Sequence, residues 1–275
     1  VHAPDRWSDT ASGILEQTNA TSGYCLLAGI GSGRLLEELV TQSEFSVIAI
    51  DPDPQKVARL RRNCDDRDLY GSRVAGLVGA LHSLDLPPHF ARLIVSEDLA
   101  AAGVVQGTEF SQKVFHPLRP YGGVACLPLA VEQHARFAAE VAQADLANAE
   151  IARSGEQSLL RRVGPLPGSG VWTHHNGDAA NTVFSEEQLV RAPLGILWFG
   201  GPSNAEVLPR HGHGPAPQVV GGRLFIEGEH MLRAVDVYTG RLLWQREFEN
   251  LGSPYASVAH APGAGAVGGN YVSVA

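Results

Sequence analysis

Between Cys25 and Leu39 the chain reads CLLAGIGSGRLLEEL: an apolar run, then Gly29, Gly31 and Gly33, then an amphipathic stretch. A strand that ends in spaced glycines and opens into a helix leaves few folds open. The glycines let the backbone come close to a ligand, and the start of the helix offers N–H groups that no helical carbonyl accepts. The combination predicts a βα unit of a parallel sheet, with an anionic or nucleotide-like ligand at the turn.

The flanking sequence repeats this grammar up to about Ala152. FSVIAID, VAGLVGA, ARLIVSEDL and GGVACLPLA read as strands, and DPQKVARLRRNCDDRDL and TEFSQKVFHPLRP as helices. VEQHARFAAEVAQADLANAEIARSG reads as one long alanine-rich helix. Continuous apolar strands alternating with helices predict a parallel sheet covered on both faces, an α/β doubly wound fold. Asp51 ends the second strand, about 20 residues beyond the glycines, where a carboxylate is placed to accept two ribose hydroxyls.

With Asp51 in place, residues from about 10 to 150 resemble a class I S-adenosylmethionine-dependent methyltransferase. The G-x-G-x-G of its first motif is matched by Gly29, Ile30, Gly31, Ser32 and Gly33, and Arg34 stands where a dinucleotide turn more often has its last glycine. The resemblance implies a Rossmann-like fold of methyltransferase type and S-adenosylmethionine as cofactor. It implies Gly29, Gly31, Gly33 and Asp51 as contacts, and VGALHSLDLP, with Ala80, beside the adenine. Glu97 and Asp98 at the end of the fourth strand are then the candidates to orient or deprotonate a methyl acceptor. Two positions depart from the pattern. Leu27 stands where the family usually has an acidic residue, and Ala80 where it has an aspartate. These departures imply either weak cofactor binding or a retired methyltransferase kept as a scaffold.

After Gly155 the pattern changes. VGPLPGSG reads as a linker, with Arg161 and Arg162 as surface residues beside it. LGILWFGG, PQVVGGRLFIEG, MLRAVDVY and RLLWQREF then read as short antiparallel strands. The domains expected are 1–154, a linker at 155–170, and 171–275. MLRAVDVYTGRLLWQREF resembles one repeat of a quinoprotein-type β-propeller, through Ala234, Asp236, Thr239, Gly240 and Trp244. About one blade is too little to close a ring of roughly four to eight, so the resemblance implies an incomplete blade; the start at Val1 and the end in GGNYVSVA, mid-pattern, lead us to expect both ends cut from a longer parent. THHNGD and RHGHGP gather His174, His175, Asp178, His211 and His213, residue types that hold zinc or a similar divalent metal. A metal-dependent ester or phosphoester hydrolase is therefore the alternative reading, and a non-catalytic interaction module the second alternative.

Charge and cysteine content narrow the partners. A net charge of −8 argues against a nucleic-acid surface. Cys25, Cys64 and Cys126 are odd in number and far apart, which predicts reduced, buried thiols and a cytoplasmic protein. No stretch reads as a membrane span. A small-molecule substrate is expected. So is a homo-oligomer formed through the C-terminal β region, with NYVSVA as a candidate exchanged strand.

Overall fold

A computed structural model describes residues 5–103, 107–203, 206–207, 216–228, 230–249 and 271–274. The chain divides into two compact units, Val1–Gly164 and Pro165–Ala275.

The first unit opens with α1 (Arg6–Thr18), whose N-cap Asp5 accepts from the Trp7 and Ser8 amides. Then follow β1 (Ser22–Ala28), α2 (Arg34–Gln42), β2 (Glu44–Asp51), α3 (Pro54–Asp65), β3 (Val74–Val78), β4 (Ala91–Val95), α4 (Thr108–Phe115), β5 (Gly123–Leu127), α5 (Val131–Gln143), β6 (Ala149–Ser154) and β7 (Gln157–Arg162). The seven strands form one sheet in the order β3-β2-β1-β4-β5-β7-β6. Its first five strands are parallel, and β7 runs antiparallel to both β5 and β6. Alternate residues of each strand feed opposite faces. Leu27, Val95 and Cys126 join α1, α2 and α3 in one buried layer, while Leu26, Ile94 and Leu127 join α4 and α5 in the other. Burial on both faces is why these strands read as unbroken apolar runs.

The expected doubly wound fold is present, with one change. The long helix expected from Val131 to Gly155 ends at Gln143, and its last third is β6. Asp145 and Asn148 adopt left-handed φ of 47° and 63° and turn the chain back, a conformation that short polar side chains tolerate better than alanine does. β7 occupies residues that read as linker. Its Ser158, Leu159 and Leu160 are buried, and Arg162 lies over the Phe115 ring at 4.4 Å, so neither it nor Arg161 belongs to a linker.

The second unit holds a four-stranded antiparallel sheet of β8 (Gln218–Val220), β9 (Arg223–Gly228), β10 (Met231–Asp236) and β11 (Leu242–Glu247), in the order β11-β10-β9-β8. Gly221 and Gly222, at φ 60° and 73°, make the two-residue loop that joins β8 to β9. Phe225 and Trp244 pack with ring centroids 6.0 Å apart. The LGILWFGG strand is not formed. Leu194, Ile196 and Phe199 are exposed, and only Trp198 is anchored, through its indole N–H to the Val237 carbonyl at 2.9 Å. Pro193, Gly195, Gly200, Gly201 and Pro202 punctuate this stretch too often for a ladder to run. The described part of NYVSVA is not a strand either. It folds back on its own unit, where the Ser273 amide donates to the Thr173 carbonyl at 3.1 Å and the Ser273 hydroxyl to Gln218 Oε1 at 2.8 Å.

Candidate cofactor site

In the first unit the chain leaves β1 toward β2 on one side, and later returns to place β4 on the other. The connections at the carboxyl ends of β1 and β4 therefore run to opposite faces of the sheet, the kind of switch point at which open α/β sheets bind ligands. The glycine turn lies there, between β1 and α2.

Each glycine of the turn has its own reason. Gly29, Gly31 and Gly33 have φ of 79°, 58° and 84°, values that side chains with a Cβ disfavour. A Cβ on Gly29 would stand 2.0 Å from the Asp98 carbonyl oxygen, because the loop after β4 lies directly on the turn. The Glu97 and Asp98 amides both donate to the Gly29 carbonyl, at 3.2 and 3.3 Å. A Cβ on Gly31 would meet the Glu97 side chain at 2.8 Å. Gly33 is the N-cap of α2 and gives it no side-chain cap.

Four charged groups converge on the turn. Asp51 is fully buried; its Oδ2 accepts from the Ile30 amide and its Oδ1 from the Asp53 amide, both at 2.9 Å. Glu97 reaches across from β4 and caps α2: its Oε1 accepts from the Ser32 amide at 2.6 Å and from the Ser32 hydroxyl, and its Oε2 from the Leu35 amide at 3.1 Å. Asp98 accepts from the Ala101 amide at 3.1 Å, and that bond, ahead of its pairing with Lys56, holds its carboxyl below the usual range. Lys56 bridges the acids, 3.3 Å from Asp98 Oδ2 and 3.7 Å from Asp51 Oδ2. Burial works against its charge, and Asp51, then Asp98 and Asp53, outweigh burial and raise its pKa.

The structure thus brings together Gly29, Gly31, Gly33, Asp51, Glu97 and Asp98, which are scattered over 70 positions of sequence. Ala80 follows β3 at the same end of the sheet, and its neighbour Gly79 donates to the Asp51 carbonyl at 3.0 Å. Leu27 is fully buried in the helical layer. The carboxylate that does reach the turn is that of Glu97, through the Ser32 and Leu35 amides. Lys56, Ser32 and Ser96 were not legible in the sequence as site residues; the buried Ser96 hydroxyl, at the end of β4, has no hydrogen-bond partner among the described residues.

Two features suit an adenosyl ligand: the left-handed glycine turn that opens α2 and the buried carboxylate at the end of β2. Residues 26–122 match the family model described as a methyltransferase domain. Over that span the chain is methyltransferase-like. The matched span runs from β1 through β4 to the start of β5, and so contains every residue of the site. No curated protein matches the sequence. Among solved structures, the chain is similar to a protein from Methanococcus maripaludis titled as an S-adenosyl-L-methionine-dependent methyltransferase, at 19% identity and a TM-score of 0.50, covering 58% of this chain and 85% of that one. It is also similar to a methyltransferase of the same dependence from Aquifex aeolicus, at 14% identity, TM-score 0.44, 58% and 92% coverage. The Methanococcus likeness supports the Rossmann-like fold of the methyltransferase domain.

The histidine-rich part of the second unit does not assemble a metal centre from its described residues. Asp178 is committed to its own loop, accepting from the Ala180 amide and from the Thr182 amide and hydroxyl. His174 Nδ1 meets the Thr173 hydroxyl at 2.8 Å, and His175 Nδ1 lies 3.5 Å from the Ala216 amide. Among the described residues no group of three or more His, Cys, Asp or Glu side chains is placed to hold a metal ion. His211 and His213 lie outside the described residues.

Proposed function

We propose that the methyltransferase domain binds S-adenosylmethionine at the switch point between β1 and β4 and transfers its methyl group to a small-molecule acceptor held at the carboxyl ends of β4 and β5. The observation that carries this reading is the left-handed Gly29-Gly31-Gly33 turn set beside the buried Asp51 carboxylate. When bound, the cofactor supplies a sulfonium methyl open to in-line attack. The protein's part in such a reaction is positioning. Asp51 accepts the ribose hydroxyls on its remaining lone pairs, with Lys56 drawing aside. Asp98, held ionised, orients the acceptor; its low pKa suits that role better than proton abstraction. Glu97 is bound to the turn and does not serve as the base in this arrangement.

Calorimetry with S-adenosylmethionine tests the reading. Wild type should bind and Asp51→Ala should bind at least about tenfold more weakly, the weight of a charge-assisted hydrogen bond to each hydroxyl. Equal binding by both proteins, or none by either at millimolar ligand, overturns it. No described feature favours the hydrolase alternative.

For the second unit we propose the blade-like reading and a role in self-association. The four-stranded antiparallel sheet with Trp244 on Phe225 supports the first. The outer strand β11, with Leu242, Trp244 and the following Phe248 partly exposed, supports the second. A cytoplasmic setting is supported by three cysteines that are all free and buried, with the Cys126 thiol pushed up to about 12 by burial. No helix among the described residues is long and apolar enough to cross a membrane.

A further inference from the structure

S-adenosylmethionine has a neutral adenosine, a sulfonium and an amino-acid end, and the carboxylate of that end is its single anionic group. If the ribose goes to Asp51, the anion belongs with the amides at the start of α2, where the helix dipole and unpaired N–H groups favour negative charge. Those donors already have a carboxylate. The Ser32 amide is 2.6 Å from Glu97 Oε1 and the Leu35 amide 3.1 Å from Oε2, with the Ser32 hydroxyl donating as well. The contact is built into the turn: a Cβ on Gly31 would stand 2.8 Å from Glu97 Cγ, so glycine there is what lets the side chain cross. Glu97 is also only half-buried and stands on a loop.

We propose that Glu97 is an intrachain occupant of the amino-acid end of the cofactor site, so that a ligand carboxylate enters only by displacing it. The inference rests on the reading of this domain as S-adenosylmethionine-binding. Two carboxylates cannot share one set of amides while both are ionised. The domain therefore discriminates among adenosyl compounds by their tails. Ligands that carry the amino acid compete with Glu97; ligands that end at the thioether do not.

The test is calorimetry on the full chain with two probes, S-adenosylhomocysteine, which has the amino acid, and 5′-methylthioadenosine, which lacks it. Glu97→Gln keeps an acceptor for the turn but removes the charge, and Glu97→Ala removes both; thermal unfolding of the free variants checks that they are folded. In both, affinity for S-adenosylhomocysteine should rise by about tenfold or more, the worth of one charge-assisted contact. Affinity for 5′-methylthioadenosine should change by less than about twofold, because that ligand lacks the carboxylate that competes with Glu97. An equal rise for both probes would mean that Glu97 merely obstructs the site, and overturns the proposal. A fall for S-adenosylhomocysteine would make Glu97 a cofactor ligand standing in for the carboxylate absent at position 27, and also overturns it. Asp51→Ala separates the two levels: if it weakens both probes while the Glu97 variants change neither, the cofactor reading stands and the proposal falls. If no adenosyl probe binds any of the proteins at millimolar concentration, both fall together.

Discussion

At the scale of single residues, the turn is held by close approach and not by backbone freedom alone, and two glycines separate these effects. Gly29 and Gly71 have nearly the same φ, 79° and 80°, but a Cβ on Gly71 meets nothing within 4 Å, whereas one on Gly29 strikes the Asp98 carbonyl at 2.0 Å. Gly71→Ala should cost only the left-handed conformation, about 1 kcal/mol. Gly29→Ala should cost about 3 kcal/mol or more, since backbone must move, and should also lose adenosyl binding. Urea titrations of the two variants check the difference; equal costs would mean the loop after β4 yields freely. The turn glycines and Asp51 were legible because chemistry demands them at fixed spacing along one βα unit. The roles of Glu97 and Lys56 were not. They act on the turn from elements 65 and 25 positions away from Ser32 and Gly31, and no local spacing encodes such a contact.

Among elements, the parallel strands could be read from their apolar runs, and the hairpin of β6 and β7 could not. EIARS is part-exposed and mixed in character, and alanine around it argues locally for helix. What makes it strand is pairing with β7, which is a tertiary fact. Where β7 ends, Arg162 meets a part-buried histidine. His89 Nδ1 accepts from Arg162 Nη1 at 2.9 Å, near His116, with ring centroids 6.4 Å apart. Burial first, then Arg162 and His116, hold the His89 pKa down to about 4. An unfolded imidazole takes up its proton below about 6.5. Between that value and about 4 the unfolded chain binds the extra proton, so stability falls as pH drops through this window and levels off below it. After allowance for its partial exposure, the effect is about 1–2 kcal/mol. His89→Asn keeps a residue that tolerates the φ of 63° but does not titrate. Urea midpoints at pH 7.0 and 4.5 should converge in this variant relative to wild type; an unchanged pH dependence would place the effect elsewhere.

For the whole molecule, the structure moves the point at which the units divide. The composition change after Gly155 suggests a cut there, but that cut would remove β7, which lies between β5 and β6 and buries Leu159 and Leu160. Burying one such leucine is worth about 1.5–3 kcal/mol, so a chain of residues 1–155 should be poorly soluble or only partly folded. A chain of residues 1–164 should unfold in one cooperative step. The 1–164 chain, set against the full chain, also tests self-association. In the second unit Leu194, Ile196 and Phe199 project from a stretch without ladder bonds, and among the described residues no further strand pairs with the outer side of β11. Open edges and exposed apolar side chains favour association, and a two-fold pair is the simplest closed arrangement. The fold-back of Tyr271 and Ser273 onto Thr173 and Gln218 uses that segment within its own chain, which leaves β11 as the edge for a partner. Light scattering across a concentration series should therefore find the full chain as a dimer or larger assembly and residues 1–164 as a monomer. Leu242→Lys with Trp244→Lys, placing charge on the open edge, should shift the full chain toward monomer without changing adenosyl binding. A full chain that stays monomeric at high concentration would mean that the second unit covers its apolar surface within one chain.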